Sequence, residues 1–186
     1  MVKRVLLVVM VWSFISGCET VSHLYSDLYY TEEGGWRSHR KYKKYETLKD
    51  SLSNGIKPYR AYELKREINP QDDVSYDHEE SRYYLVFLKN SRAIQFNVES
   101  DSAISADDFK VNKGHMAYFE VSEESAILYS YSSMNRGVFV KTRIEKINDS
   151  TLRQTIERPK NYFRYQDYVI SEKVPEEWLK PIEANW

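Results

Sequence analysis

One cysteine, four histidines and 28 acidic residues are the groups in this 186-residue chain from which chemistry could be built. The cysteine is Cys18, which rules out an intrachain disulfide, a CxxC redox pair and a cysteine-rich zinc site. The histidines, His23, His39, His78 and His115, show no H-x-x-H, H-E-x-x-H or H-x-H spacing, so the sequence offers no transition-metal site. Asp72, Asp73, Asp77, Glu79 and Glu80 crowd together as calcium ligands do. The EF-hand order D-x-[DN]-x-[DN]-G is missing, however, and Asn69-Pro70 opens a solvated turn between two strands. Asp107-Asp108 and Glu123-Glu124 read the same way. No G-x-S-x-G, S-x-x-K or phosphate-cradling glycine loop is present, and no local motif marks a pair of carboxylates for glycoside hydrolysis. The expectation is a protein that is not an enzyme and takes no cofactor and no metal.

What the cysteine can do is set by what precedes it. Lys3 and Arg4 give a positive start, and the eleven residues from Val5 to Ile15 are apolar except for Ser13. That length suits a signal-peptide core of about 7–15 residues. It is short of the roughly 20 needed to span a bilayer. Ile15-Ser16-Gly17-Cys18 then resembles the lipobox of bacterial lipoproteins: a branched aliphatic, two small residues and a cysteine. The resemblance implies a diacylglyceryl group on the Cys18 thiol, with palmitate-like acyl chains, and cleavage just before Cys18 that Ile15, Ser16 and Gly17 guide. It implies a protein held to the cell envelope by covalent lipid. Glu19 stands where enteric bacteria use Asp for inner-membrane retention, so the outer membrane is favoured. Loss of residues 1–17 removes two bases and no acid, leaving 25 bases against 28 acids. That balance gives no electrostatic reason to expect nucleic acid.

The organisation that follows is a signal peptide at 1–17, a lipid-anchored tether at 18–35 and a single β-domain at 36–186. Five Lys or Arg between Trp36 and Tyr45, with Tyr42, Tyr45, Leu48 and Leu52 at helical spacing, predict a basic helix over 36–53 that Asn54-Gly55 ends. From Tyr59 onward the period becomes two. Strands are predicted within 59–170: at 59–68, 83–89, 92–98, 116–121, 126–132, 138–147, 151–157 and 162–170. In the first of these Tyr62, Leu64 and Ile68 share a face. Asn90-Ser91 reads as a hairpin turn, residues 99–114 as the one long connection, and Glu176 to Ile182 as a short closing helix anchored by Trp178. Eight short strands without helical interruption predict a mainly β fold. An antiparallel meander curled into a lipocalin-like barrel or half-barrel would remove exposed edges.

The stretches YYLVFLKNSRAIQFNV, DFKVNKGHMAYFEV and GVFVKTRIEKINDSTLRQTI, spanning about 83–157, resemble uncharacterised lipoproteins of Bacteroidetes-type bacteria. That group brings no activity with it. Here Asn90-Ser91 stands where a turn glycine is usual, and Gly114-His115-Met116 lacks the aromatic that follows the glycine. Sixteen tyrosines are the outstanding compositional feature. They suit a half-wet sheet, and they could also line a groove. Tyr62, Tyr83, Phe87, Phe96, Tyr118, Tyr129 and Tyr131 are the candidate ligand-lining residues. The expected role is a lipid-anchored envelope protein whose β-domain binds a small apolar or amphipathic molecule, or a lipid. The alternative is a module that docks on another envelope protein through a sheet edge or the basic segment.

Overall fold

The computed structural model describes residues 28–30, 32, 36–38, 55–78, 82–98, 103–121, 125–132, 138–158 and 162–183. The signal peptide, Cys18 with its flanking residues, and positions 39–53 of the expected basic helix lie outside the described residues. The start of that helix is a strand instead. Trp36–Ser38 (β2) pairs antiparallel with Leu28–Tyr30 (β1), which occupies the end of the expected tether. Aromatic residues on either side of Gly34-Gly35 favour a hairpin, and this outweighs the helical spacing that begins a few residues later.

Nine further strands follow: β3 (Ala61–Asn69), β4 (Val74–Asp77), β5 (Tyr83–Phe87), β6 (Arg92–Asn97), β7 (His115–Val121), β8 (Ala126–Ser132), β9 (Val138–Lys146), β10 (Thr151–Arg158) and β11 (Tyr162–Ile170). A 3-10 turn at Ala106–Phe109 interrupts the long connection, and a one-turn helix, α1, covers Glu176–Leu179. Each strand from β5 to β11 pairs antiparallel with its sequence neighbour, and β3 pairs with β5. β11 returns to β3, from Ile170 opposite Tyr62 to Tyr165 opposite Ile68, which closes an eight-stranded barrel. Closure leaves none of those eight strands with an unpaired edge. The β5–β6 turn is of the primed kind, with Asn90 at φ +61° and Ser91 at φ +56°. Asn accepts that conformation readily, whereas Ser at positive φ is uncommon.

Two irregularities shape the barrel. The β3–β11 register slips between Arg66–Asp167 and Leu64–Tyr168, so Lys65 is an extra residue on β3. The slip reverses the alternation. Leu64 faces inward, then Glu67 does, and Ile68 leaves the face that the simple period of two assigned to it. On the other edge of β3, β4 and β5 lie end to end along one line. Only residues 64 and 65 of β3 separate the Arg66–Asp77 pair from the Glu63–Tyr84 pair. β4 was not expected from the sequence; its exposed, acid-flanked Val-Ser-Tyr-Asp reads as part of the turn.

The wall separates two cores. Inside are Tyr62, Leu64, Leu85, Phe87, Ala93, Ala117, Phe119, Ala126, Leu128, Ile144, Leu152 and Tyr168, with Ile56 plugging the end where β3 begins. Phe87 meets Tyr62 and Phe119 edge to face, at 5.9 and 5.2 Å between ring centres. Outside β5–β7, a second core of Tyr84, Val86, Ile94, Phe96, Met116 and Tyr118 is covered by Phe109 of the 3-10 turn and by Val174, Trp178 and Leu179. The central strands are therefore apolar on both faces, as the run YYLVFLK requires.

Candidate functional site

The interior changes character along the barrel axis. Below the middle it is filled by the aromatic and aliphatic side chains of the inner core. Toward the end where β3 finishes and β11 begins, it opens into a cavity of about 400 Å³. That is toward the small end of the ~300–1,000 Å³ usual for small-molecule sites. Around it stand Leu64 and Glu67 of β3, Tyr83 of β5, Gln95 and Asn97 of β6, His115 of β7, and Arg164, Gln166 and Tyr168 of β11. Tyr84 and Phe96 border it too, but their rings pack on the other side of the wall against Phe109, at 5.3 and 5.2 Å.

Glu67 and Arg164 face each other across the β3–β11 seam as an ion pair. The Glu67 side chain is only 14% exposed, and His78 Nε2 lies 3.4 Å from its second oxygen. A carboxylate this enclosed needs such partners, and the bulge at Lys65 is what turns it inward to meet them. The Tyr168 hydroxyl donates to Gln166 Oε1 at 3.3 Å. Burial raises the pKa of Tyr168, so it keeps its proton and its donor role.

Gln154 lies beside Gln166 in the β10–β11 register and opposite Ile144 on β9, which puts it on the inward face. It is 4% exposed. Its Nε2 donates to Thr142 Oγ1 at 2.9 Å, and the Thr142 hydroxyl is directed at the Leu128 carbonyl at 3.5 Å. Gln154 Oε1 has no partner, and neither does the buried hydroxyl oxygen of Ser130, which is on the same face of β8 as Leu128. Amide groups in such positions are costly unless something meets them.

The seven aromatic residues singled out in the sequence do not share one surface. Tyr83 stands at the mouth of the cavity and Phe96 borders it. Tyr62 and Phe87 form the inner core beneath. Tyr118 and Tyr129 belong to the outer core, where the Tyr129 hydroxyl donates to Glu120 at 3.1 Å. Tyr131 lies on β8, and its side chain is outside the described residues. The polar wall of Glu67, Gln95, Asn97, Arg164 and Gln166 was not singled out. Polar residues at alternate strand positions read as solvent-facing, and only barrel closure makes that face an interior.

Among the described residues, no group of three or more His, Cys, Asp or Glu is placed to hold a metal ion. Nor is any described helix long and apolar enough to cross a membrane. The arrangement presents hydrogen-bond donors and acceptors around a space open at one end, with the one carboxylate among its lining residues engaged by Arg164. Comparison with known protein families, with curated proteins and with solved structures finds no match to this chain.

Proposed function

We propose that this chain is an envelope lipoprotein, anchored through lipid on Cys18, whose barrel holds a small molecule in the open half of its interior. The observation that carries the binding half of this reading is the 400 Å³ cavity, walled by amides and an ion pair and floored by an aromatic core. A space of that kind suits a ligand with polar groups for the wall and some apolar surface for the floor. The anchoring half rests on the positive start, the apolar run and Ile15-Ser16-Gly17-Cys18. A non-catalytic role is favoured because Glu67 is held by Arg164 and no Ser, Thr, Cys or Lys is among the lining residues. Docking on another protein through a sheet edge is the weaker reading, since barrel closure pairs both edges of eight strands.

Native mass spectrometry of the protein isolated from cells, with solvent extraction of whatever accompanies it, tests the binding. A stoichiometric small molecule is expected. A clean apo mass that persists after incubation with envelope extract would overturn the ligand reading. For the anchor, the N-terminal peptide is expected to begin at Cys18 and to carry the mass of diacylglyceryl. Cys18→Ser should release the chain from the membrane fraction. An uncleaved precursor still in the membrane would point to a signal anchor instead.

A further inference from the structure

We infer that the ligand of this cavity is an uncharged saccharide of one or two rings. The inference rests on the cavity being a binding site and names the chemistry it would recognise.

Charge comes first. Glu67 and Arg164 are the only acid and the only lysine or arginine among the lining residues, and they neutralise each other. A fatty acid or phosphate headgroup would have to take Arg164 away from Glu67 and leave that carboxylate enclosed without its main partner. The wall argues equally against an apolar tail. Gln95, Asn97 and Gln166 would lose water and gain nothing in return.

Hydroxyl groups fit this wall. Each side-chain amide presents a donor and an acceptor a fixed distance apart, and each sugar hydroxyl is itself both. Gln95, Asn97 and Gln166 put three such amides around one space, on β6 and on β11. At the mouth Tyr83, 52% exposed, offers a flat ring on which the C–H face of a pyranose can lie. The volume admits one or two sugar rings and is too small for a diacyl lipid.

The test uses the whole chain with Cys18→Ser, purified without detergent, and titrates it with glucose, galactose, N-acetylglucosamine and cellobiose by calorimetry and ligand-observed NMR. Decanoate and a lysophospholipid serve as the contrasting probes. At least one sugar is expected to bind. Gln95→Leu, which removes a donor and an acceptor from the wall, should weaken it about two- to tenfold. Asn97→Leu, nearer the mouth on the same strand, is a second variant, and a similar loss is expected. Sugar binding unchanged in both variants would place the sugar elsewhere and overturn the inference. Binding of decanoate or lysophospholipid with all sugars silent would overturn it while leaving the cavity a binding site. Silence from every probe would remove both readings.

Discussion

Gly114 shows how little room one position can leave. It is buried at the entry to β7, and a Cβ there would lie 2.1 Å from Ile94 Cγ2 and 2.8 Å from the Phe96 ring. Both neighbours belong to the outer core, and neither can retreat without disturbing Phe109. Gly114→Ala is therefore expected to cost about 1–3 kcal/mol, read as a lower denaturant midpoint at unchanged slope. An unchanged midpoint would mean that the wall gives way there. The effect is steric and not conformational, because Gly114 is not among the residues with positive φ. Gln154 is the converse case, a residue with too few neighbours for its polar atoms. One position is fixed by close packing, and the other carries an unmet group inside the filled part of the barrel.

At the scale of elements, the 3-10 turn at Ala106–Phe109 is short, and it holds the outer core through one side chain. Phe109 is 1% exposed and packs against Tyr84, Phe96 and Trp178. Phe109→Ala should cost about 3–5 kcal/mol in a denaturant titration, since three rings lose their common partner. A loss under about 1 kcal/mol would show that the cover is not structural. The turn is fastened on its wet side by Asp107, which pairs with Lys110 and Lys113. Those ammonium groups hold its carboxyl down to about 2. A depressed carboxyl contributes stability above its unfolded pKa, near 4, and that contribution disappears as pH falls through about 2. Asp107→Asn should thus sit below the parent in denaturant midpoint at pH 5, with the gap closing by about pH 2. Because Asp107 is exposed, salt should narrow the gap as well. Elements of this kind were legible in unequal measure. The eight barrel strands show their period of two, and β8 and β11 fall on their expected bounds. The bulge at Lys65 carries no sequence signal, yet it alone decides that Glu67 and not Ile68 faces the cavity. The aromatic candidates scatter for a related reason. On strands buried on both faces, alternation says which residues go together but not which side is the inside.

For the whole molecule, the β5–β7 wall is apolar on both faces below the cavity and faces the cavity above it, so its tyrosines meet water very differently along its length. Tyr76 and Tyr83 are 59% and 52% exposed, while Tyr62 and Tyr84 are each 1% exposed. Burial raises the pKa of Tyr62 and Tyr168. Burial, with a smaller push from the charge on Glu63, takes Tyr84 up to about 12. A phenol with a raised folded pKa contributes stability that is whole below its unfolded value near 10 and is lost as pH climbs through the folded value. Alkaline titration, followed by tyrosinate absorbance, should therefore show a late component, from Tyr62, Tyr84 and Tyr168, that rises only as the β circular dichroism collapses. An absorbance change that runs to completion with the barrel intact would mean that hydroxide reaches the interior freely. Tyr84→Phe separates the causes. The Tyr84 hydroxyl is buried and meets no partner, so removing it deletes an unpaid desolvation along with a titrating group. The variant should be as stable as the parent at pH 7, or up to about 1 kcal/mol more so, and should hold its barrel to higher pH. A loss above about 1 kcal/mol at pH 7 would show that the hydroxyl is satisfied in solution, and that the outer core between β5 and the 3-10 turn admits water.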